Sequence, residues 1–104
     1  MSNIGELREI IRRLHGADAL HIESVPVKEV FQGQTVWDGV VEVFDLTGHA
    51  TAHRAYAWSH DTDDPANPRR HVTVLHEHPV KSARDAVRAF IVQESKHLDQ
   101  SLES

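Results

Sequence analysis

The chain has 104 residues, nine of them histidine and none cysteine, and carries a net charge of −5 with histidine neutral. This length fits one domain, residues 1–104, and the negative charge argues against binding to nucleic-acid phosphates, which needs a concentrated positive field. The lack of cysteine excludes disulfides, thiolate metal sites and a cysteine nucleophile.

The first predicted element is a helix over about residues 3–15. An apolar stripe at helical spacing runs along it, formed by Leu7, Ile10, Ile11 and Leu14. Asn3 with Glu6 three residues later is typical of a helix start, and Gly16 is typical of a helix end. We therefore expect an amphipathic helix that buries this stripe.

Four strands are predicted next, covering about residues 19–31, 35–46, 49–60 and 71–77. Pro26 cannot donate a ladder hydrogen bond, so we expect the first strand to lie at an edge of the sheet or to carry a bulge. Gln32-Gly33-Gln34 and Thr47-Gly48 are predicted turns, and the Asp, Asn and Pro residues of 61–70 indicate a loop. A tight second turn places Trp37 opposite Trp58, where the two rings would stabilise the sheet as a cross-strand pair.

The last predicted element is a helix with Ser82 as its N-cap and Asp85 in the capping-box position. Its polar tail, residues 98–104, is expected to fray. The resulting fold class is α+β with the order α-β-β-β-β-α, an antiparallel meander sheet with both helices packed on one face. The expected single core consists of Leu7, Ile10, Leu14, Trp37, Val41, Val43, Trp58, Val87, Phe90 and Ile91.

Side chains of the second strand alternate between two faces. Trp37, Val41 and Val43 share the face that the helices are expected to cover. The opposite face should be polar if water covers it, yet it carries large apolar residues. Together with the first strand it forms a predicted interaction patch of Leu20, Ile22, Val40, Phe44 and Leu46, with Lys28 and Asp38 at its polar end. An exposed patch of this kind predicts a homodimer or a protein partner.

His76-Glu77-His78 places two imidazoles on one face of the fourth strand, as two ligands of one metal ion require. A third ligand could come from His53 or His49 on the neighbouring strand, so His76, His78 and His53 are candidate zinc ligands. The nine histidines also make the net charge sensitive to pH near neutrality. A histidine-based metal or pH-responsive binder is therefore the first alternative function.

Catalysis is not favoured by any constellation in the sequence. Ser59-His60-Asp61 contains the residue types of a catalytic triad, but adjacent strand residues face opposite ways and cannot converge. We expect no catalytic residues and no cofactor other than the candidate zinc.

The layout of helix, strand meander and closing helix resembles the topology of double-stranded RNA-binding domains over most of the chain. Those domains carry a lysine cluster at the start of the last helix, where this chain reads Lys81-Ser82-Ala83-Arg84-Asp85 and has four strands rather than three. The resemblance implies a small-ligand or nucleic-acid-binding module as the second alternative, without RNA binding carried over to these residues.

The leading interpretation is a non-enzymatic domain that self-associates or binds a protein partner through the outer sheet face. The N-terminal residues lack the pattern of a signal peptide, and no apolar run approaches the ~20 residues that cross a bilayer. We therefore expect a cytoplasmic protein that does not enter membranes.

Overall fold

A computed structural model describes residues 4–61, 65–66 and 68–103, with side chains described as far as Glu94. The elements are α1 Ile4–His15, β1 Asp18–Phe31, β2 Gln34–Thr47, β3 Arg54–Asp61, β4 Arg69–Leu75 and α2 Ala83–Glu103. The strands form one antiparallel sheet in the order β1-β2-β3-β4. The predicted order and the antiparallel meander are confirmed, and β1 is an edge strand, as Pro26 indicated.

The two helices lie on opposite faces of the sheet, which corrects the prediction that both pack on one face. One core cluster joins α1 to the first face through Leu7, Ile11, Phe44, Leu46, Ala55 and Ala57. The other joins α2 to the second face through Val41, Val43, Tyr56, Trp58, Ala86 and Val87. Because neighbouring strand residues point to opposite faces, Val43 and Phe44 enter different cores. Continuous apolar runs in β2 and β3 are typical of strands buried on both sides.

The end of α1 also differs from the expected core. Leu7 and Ile11 are fully buried, whereas Leu14 is 65% exposed. Leu14 lies within about 20° of Leu7 around the helix axis, yet it stays in water. In the last turn of α1 the inward contact is made instead by His15, whose ring meets that of His49.

The segment from His49 to His53 is a loop, although the third strand was predicted to begin at His49. The Nδ1 atom of His49 accepts hydrogen bonds from the backbone N–H groups of Thr51 at 3.2 Å and Ala52 at 2.9 Å. Such local bonds from a side chain to the backbone compete with the ladder of a sheet. The ordered strand starts at Arg54, and the turn between β2 and β3 is longer than predicted.

The turn of the first hairpin consists of Gln32 and Gly33, whose φ angles are 52° and 76°. Positive φ at both central residues is what a type I′ turn requires, and glycine meets this requirement without steric cost. The register shifts beside the turn, where Val36 is an extra residue on β2. Lys28 and Asp38, which were predicted to lie together at the polar end of the patch, are nevertheless cross-strand partners.

A second register shift lies nearer the base of the hairpin. Ile22 is an extra residue on β1, so His21 pairs with Phe44 and Glu23 pairs with Val43. A β-bulge of this kind changes which face the residues beyond it share with the partner strand. The strand thus carries the bulge that was predicted as one option, four residues before Pro26.

Half of the β1–β2 hairpin extends past the rest of the sheet. The pairing of β2 with β3 spans Glu42–Asp45, whereas its pairing with β1 continues to the turn. We call residues 24–41 the arm. The Glu29 carboxylate, 12% exposed, fastens the arm to α2 because it lies 2.7 Å from Arg88 Nε and 3.4 Å from Arg84.

Neither helix, as far as the structure describes them, is long and apolar enough to span a membrane. The predicted tail from Leu98 falls largely within α2, and the side chains of this segment lie outside the described residues. Asn3, the predicted first cap, also lies outside them.

Candidate functional site

The three candidate zinc ligands are not brought together by the fold. His76 Nδ1 lies 2.6 Å from the hydroxyl of Tyr56, and the two rings are in contact. His53 and His78 are exposed and lie in loops outside β3 and β4. Within the described residues, no group of three His, Asp or Glu side chains could hold a metal ion. Zinc binding stays a prediction without geometric support.

The predicted interaction patch divides between core and surface. Phe44 and Leu46 are buried beneath α1, which covers the sheet face that was expected to be open. Leu20, Ile22 and Val40 are exposed. The bulge at Ile22 pairs Leu20 with Asp45 rather than with Leu46, so Leu20 lies on the opposite face from Val40. The five residues do not form one surface.

The sheet face that α1 covers near Phe44 is exposed to water along the arm. Strand alternation places Pro26, Lys28 and Val30 of β1 on this face with Asp38 and Val40 of β2, and all five are exposed. We call these five residues the arm face. Pro26 pairs with Val40 and Lys28 pairs with Asp38, so an apolar row lies beside a charged row.

The charged row of the arm face is free to contact another molecule. Lys28 and Asp38 form no ion pair with any residue that the structure describes, although they are cross-strand neighbours. On the opposite face of the same strand, Glu29 is engaged by two arginines. The arm is therefore anchored on its α2 side and open on the other.

A polar cluster borders the arm face at the base of the arm. His21 Nε2 lies 2.9 Å from Glu42 Oε1, and the Ser24 hydroxyl donates to the same carboxylate oxygen. The His21 ring meets Phe44 edge-on, with 5.4 Å between ring centroids. These residues are not arranged as a catalytic triad, because Glu42 at 2.9 Å and Ser24 at 3.4 Å both face the same imidazole nitrogen, Nε2, whereas a triad places the acid and the nucleophile at different ring nitrogens. The cluster provides hydrogen-bond partners for the Glu42 carboxylate beside the core.

A second group of triad residue types lies between α1, β3 and β4. The Ser59 hydroxyl is 2.7 Å from His71 Nδ1, and His71 Nε2 is 3.7 Å from Glu6 Oε2. The latter distance is too long for the hydrogen bond by which an acid orients a catalytic imidazole. We assign no catalytic role to this group. The hydrogen-bond partner of Ser59 is thus His71 on the neighbouring strand, and not His60 or Asp61, which follow it in the sequence.

A groove of about 540 Å³ lies between β1 and the start of α2, on the opposite face from α1. Tyr56 and Val43 form part of its floor, and Arg54, Lys81 and Arg84 stand among the residues that line it. Burial raises the pKa of the Tyr56 hydroxyl above its ordinary value of 10.0, and Arg54 opposes that shift. The hydroxyl is therefore protonated at neutral pH and faces His76 as a hydrogen-bonding group.

One part of these surfaces could have been found in the sequence. Alternation along the first strand puts Val30 with Pro26 and Lys28, which would have extended the patch toward the turn and away from Phe44. The groove offered no such pattern, because Arg54 and Arg84 lie on different elements and line the same groove only in the folded protein. Its one local signal is the sequence Lys81-Ser82-Ala83-Arg84 at a predicted helix start.

Comparison of the chain with protein-family models, with curated proteins and with solved structures found no match. The function is therefore inferred from these surfaces.

Proposed function

We propose that this protein is a non-enzymatic interaction domain that self-associates through the arm face. The observation that carries the proposal is the distribution of exposed apolar side chains. Among the described residues, six of the eight exposed large hydrophobic side chains belong to the β1–β2 hairpin, and two of these six, Val30 and Val40, lie on the arm face. Exposed apolar surface that is concentrated on one element is typical of a contact site.

The apolar residues of the arm face supply the favourable free energy of association. Val30 is 55% and Val40 49% exposed, and Pro26 lies directly across from Val40. A sheet face that is open to water normally presents polar side chains. Burial of apolar surface is favourable by roughly 25 cal/mol per Å², although association also costs translational and rotational entropy.

The charged row supports a second copy of the chain as the partner. In a twofold dimer both protomers use the same surface. If residue i of one protomer contacts residue j of its partner, then j of the first protomer also contacts i of the partner. Lys28 and Asp38 are cross-strand neighbours. A twofold axis that lies in the interface, runs along the strands and passes between these two residues brings Lys28 of one protomer to Asp38 of its partner. The face is thus complementary to itself in charge.

The edge of β1 is a poorer contact than the arm face. Edge strands pair with other chains through their free backbone groups, and proteins prevent this with proline, lysine and bulges. The β1 edge has all three, in Pro26, Lys28 and the bulge at Ile22. Arg84 also donates a hydrogen bond to the carbonyl of Lys28 at 3.4 Å. Association through side chains of the face is therefore favoured over strand addition.

The first test compares two substitutions of equally exposed valines by sedimentation velocity. Val40→Glu puts like charges into the apolar row, and we expect it to convert a wild-type dimer into a monomer with an unchanged far-UV spectrum. Val92→Glu is the matched control, because Val92 is 53% exposed on α2, away from the arm face. It should remain a dimer. A wild type that is monomeric up to millimolar concentration, or equal effects of both substitutions, would overturn the proposal.

The second test exchanges the charges of the arm face. Asp38→Lys should weaken the dimer, because two lysines then meet across the axis. Adding Lys28→Asp to the same chain should restore association, because the pair is regenerated with reversed sign. Failure of the double substitution to recover the dimer would show that these two residues do not meet across a twofold axis.

A further inference from the structure

We propose that the outer edge of β4 binds an extended peptide segment of a partner protein, which joins the sheet as a fifth strand antiparallel to β4. β4 is the last strand in the order β1-β2-β3-β4. One of its edges pairs with β3, and the other pairs with no strand that the structure describes. The arm belongs to β1 and β2 at the opposite side of the sheet, so the arm face is not part of this contact.

The two outer edges of the sheet differ in their protection against strand addition. The β1 edge carries a proline, a lysine and a bulge, which are devices by which proteins prevent such pairing. β4 contains neither proline nor lysine, and all seven of its residues pair with β3 without a register shift. Its two arginines, Arg69 and Arg70, stand together at one end. Residues 71–75 therefore form a regular edge that another strand can join.

The backbone groups that face outward are identified by a hydrogen bond at the end of β4. The His76 N–H donates to the Arg54 carbonyl at 2.9 Å, in continuation of the β3–β4 register. Because hydrogen-bonded and non-hydrogen-bonded pairs alternate along an antiparallel ladder, the even-numbered residues of β4 bond to β3. His71 and Thr73 therefore turn their N–H and C=O groups away from β3, and these groups have no hydrogen-bond partner among the described residues. Such a row of donors and acceptors is complementary to the backbone of an extended peptide.

The side chains of β4 carry both cores to this edge. Val72 and Val74 are partly buried against the α2 core cluster, and Leu75 is partly buried against the α1 core cluster. A fifth strand would cover the parts of these side chains that remain in water. β-branched residues pack well against such neighbours in a sheet, so we expect valine or a similar residue of the partner beside Val72 and Val74.

The charges at the two ends of β4 set the direction of the partner segment. Arg69 is exposed at the start of the strand, and the Arg70 side chain is 51% exposed although it lies 3.1 Å from Glu94. At the other end, the N–H of the exposed Glu77 bonds to the Leu75 carbonyl and so closes the free edge. An antiparallel segment that begins with a basic residue and ends with an acidic one places each charge beside its opposite.

An amide NMR titration of the full chain tests this contact. The probe is the end-capped heptapeptide Lys-Thr-Val-Thr-Val-Thr-Glu, which carries no net charge. We expect saturable shifts of the His71 and Thr73 amide signals at millimolar peptide, larger than those of Val72 and Val74, whose N–H groups already bond to β3. The amide signals of β1 should not shift, because that edge is protected.

Two further peptides separate strand addition from unspecific binding. N-methylation of two consecutive residues blocks both edges of the peptide, so this peptide should not bind. Exchange of the terminal Lys and Glu keeps the composition but reverses the charge order, and this peptide should bind more weakly. Equal binding of either control peptide, non-saturable shifts, or equal shifts in β1 and β4 would each overturn the proposal. Shifts of the same amides on concentrating the protein without peptide would assign the edge to a second copy and also overturn it.

Thr73→Pro is the variant that addresses the edge directly. It removes one outward N–H and leaves the bonds to β3 intact, and an edge strand tolerates proline at such a position. Peptide binding should weaken about tenfold, which corresponds to ~1.4 kcal/mol. Val40→Glu is the control on the arm face and should keep the wild-type affinity for the peptide, whether or not the protein dimerises. Equal affinities of the two variants would contradict the proposal, and the N-methylated peptide decides the matter on the wild type if Thr73→Pro does not fold.

Discussion

Phe44 and Phe31 lie on the same hairpin, yet Phe44 is fully buried and Phe31 is 65% exposed. The alternation of β2 correctly separated Phe44 from Val43, but it could not say which face water covers. Once α1 is placed on the Phe44 side, that residue becomes part of a core with Leu7 and Ile11. The same type of side chain therefore stabilises the fold at one position and stays in water at the other.

The two phenylalanines give the first prediction for stability. Phe44→Ala should lower the free energy of unfolding by ~3–5 kcal/mol, because it leaves a cavity in a closed core. Phe31→Ala should change it by less than ~0.5 kcal/mol, since it removes an exposed side chain. Urea unfolding followed by tryptophan fluorescence measures both. Similar losses in the two variants would contradict the burial of Phe44.

At the scale of elements, one carboxylate adds a polar contact between α2 and the arm to the apolar packing of Val27 and Val41 against the helix. Glu29 is 12% exposed and meets Arg84 and Arg88, whose side chains are 50% and 60% exposed. Solvent screening at the arginines reduces the attraction, but the carboxylate itself is largely removed from water. This contact holds the arm against α2, so that the arm face points away from the helix.

Glu29→Gln should lower the free energy of unfolding by ~1–2 kcal/mol, because charge-assisted hydrogen bonds are replaced by weaker neutral ones. Asp18→Asn is the control, since Asp18 and Arg12 are 3.9 Å apart and more than 70% exposed, and its effect should be under ~0.5 kcal/mol. Hydrogen exchange should also quicken in the arm of the first variant alone. Equal stability of the two variants would show that the contact of Glu29 with Arg84 and Arg88 adds no more to the free energy of unfolding than a surface ion pair does.

At the scale of the whole molecule, three distant segments meet around His15. Its ring lies 6.2 Å from that of His49 in the β2–β3 loop, and Glu77 from the segment after β4 also acts on it. Within the described residues the buried Nε2 atom of His15 has no hydrogen-bond partner. Burial, and next the charge of His49, lowers the pKa of His15 below its ordinary 6.5, while Glu77 opposes the shift.

This shift gives a signed pH dependence. A histidine with a lowered pKa binds fewer protons in the folded state than in the unfolded state, so its contribution to stability is present above pH 6.5 and is lost as the pH falls below that value. We expect the free energy of unfolding to decrease between about pH 7.5 and about pH 5.5. His15→Gln should flatten this decrease, whereas His53→Gln, at an exposed position, should not. Identical slopes in all three proteins would exclude His15 as the cause.

The sequence by itself determined the kinds of elements and their order. Periodicity identified both helices and the strands, Ser82 marked the start of α2, and Pro26 marked an edge strand, because each of these signals acts within a few residues. The rings of Trp37 and Trp58 are in contact, with 5.4 Å between their centroids, but the predicted pairing of the two residues across the strands is wrong, since β2 pairs with β3 only over Glu42–Asp45.

Only the tertiary structure decided which surfaces face water. Val41, Val43, Phe44 and Leu46 are apolar on both faces of one strand, and sequence alternation treats the two faces alike. The choice between them depends on where α1 packs, which is a contact between segments far apart in the chain. The bulge at Ile22 likewise depends on a contact between two segments, because an extra residue can be recognised only from the pairing of β1 with β2. Alternation could group the residues of the arm face, but only the placement of the helices on opposite sides of the sheet showed that this face stays in water and that a groove lies beside α2.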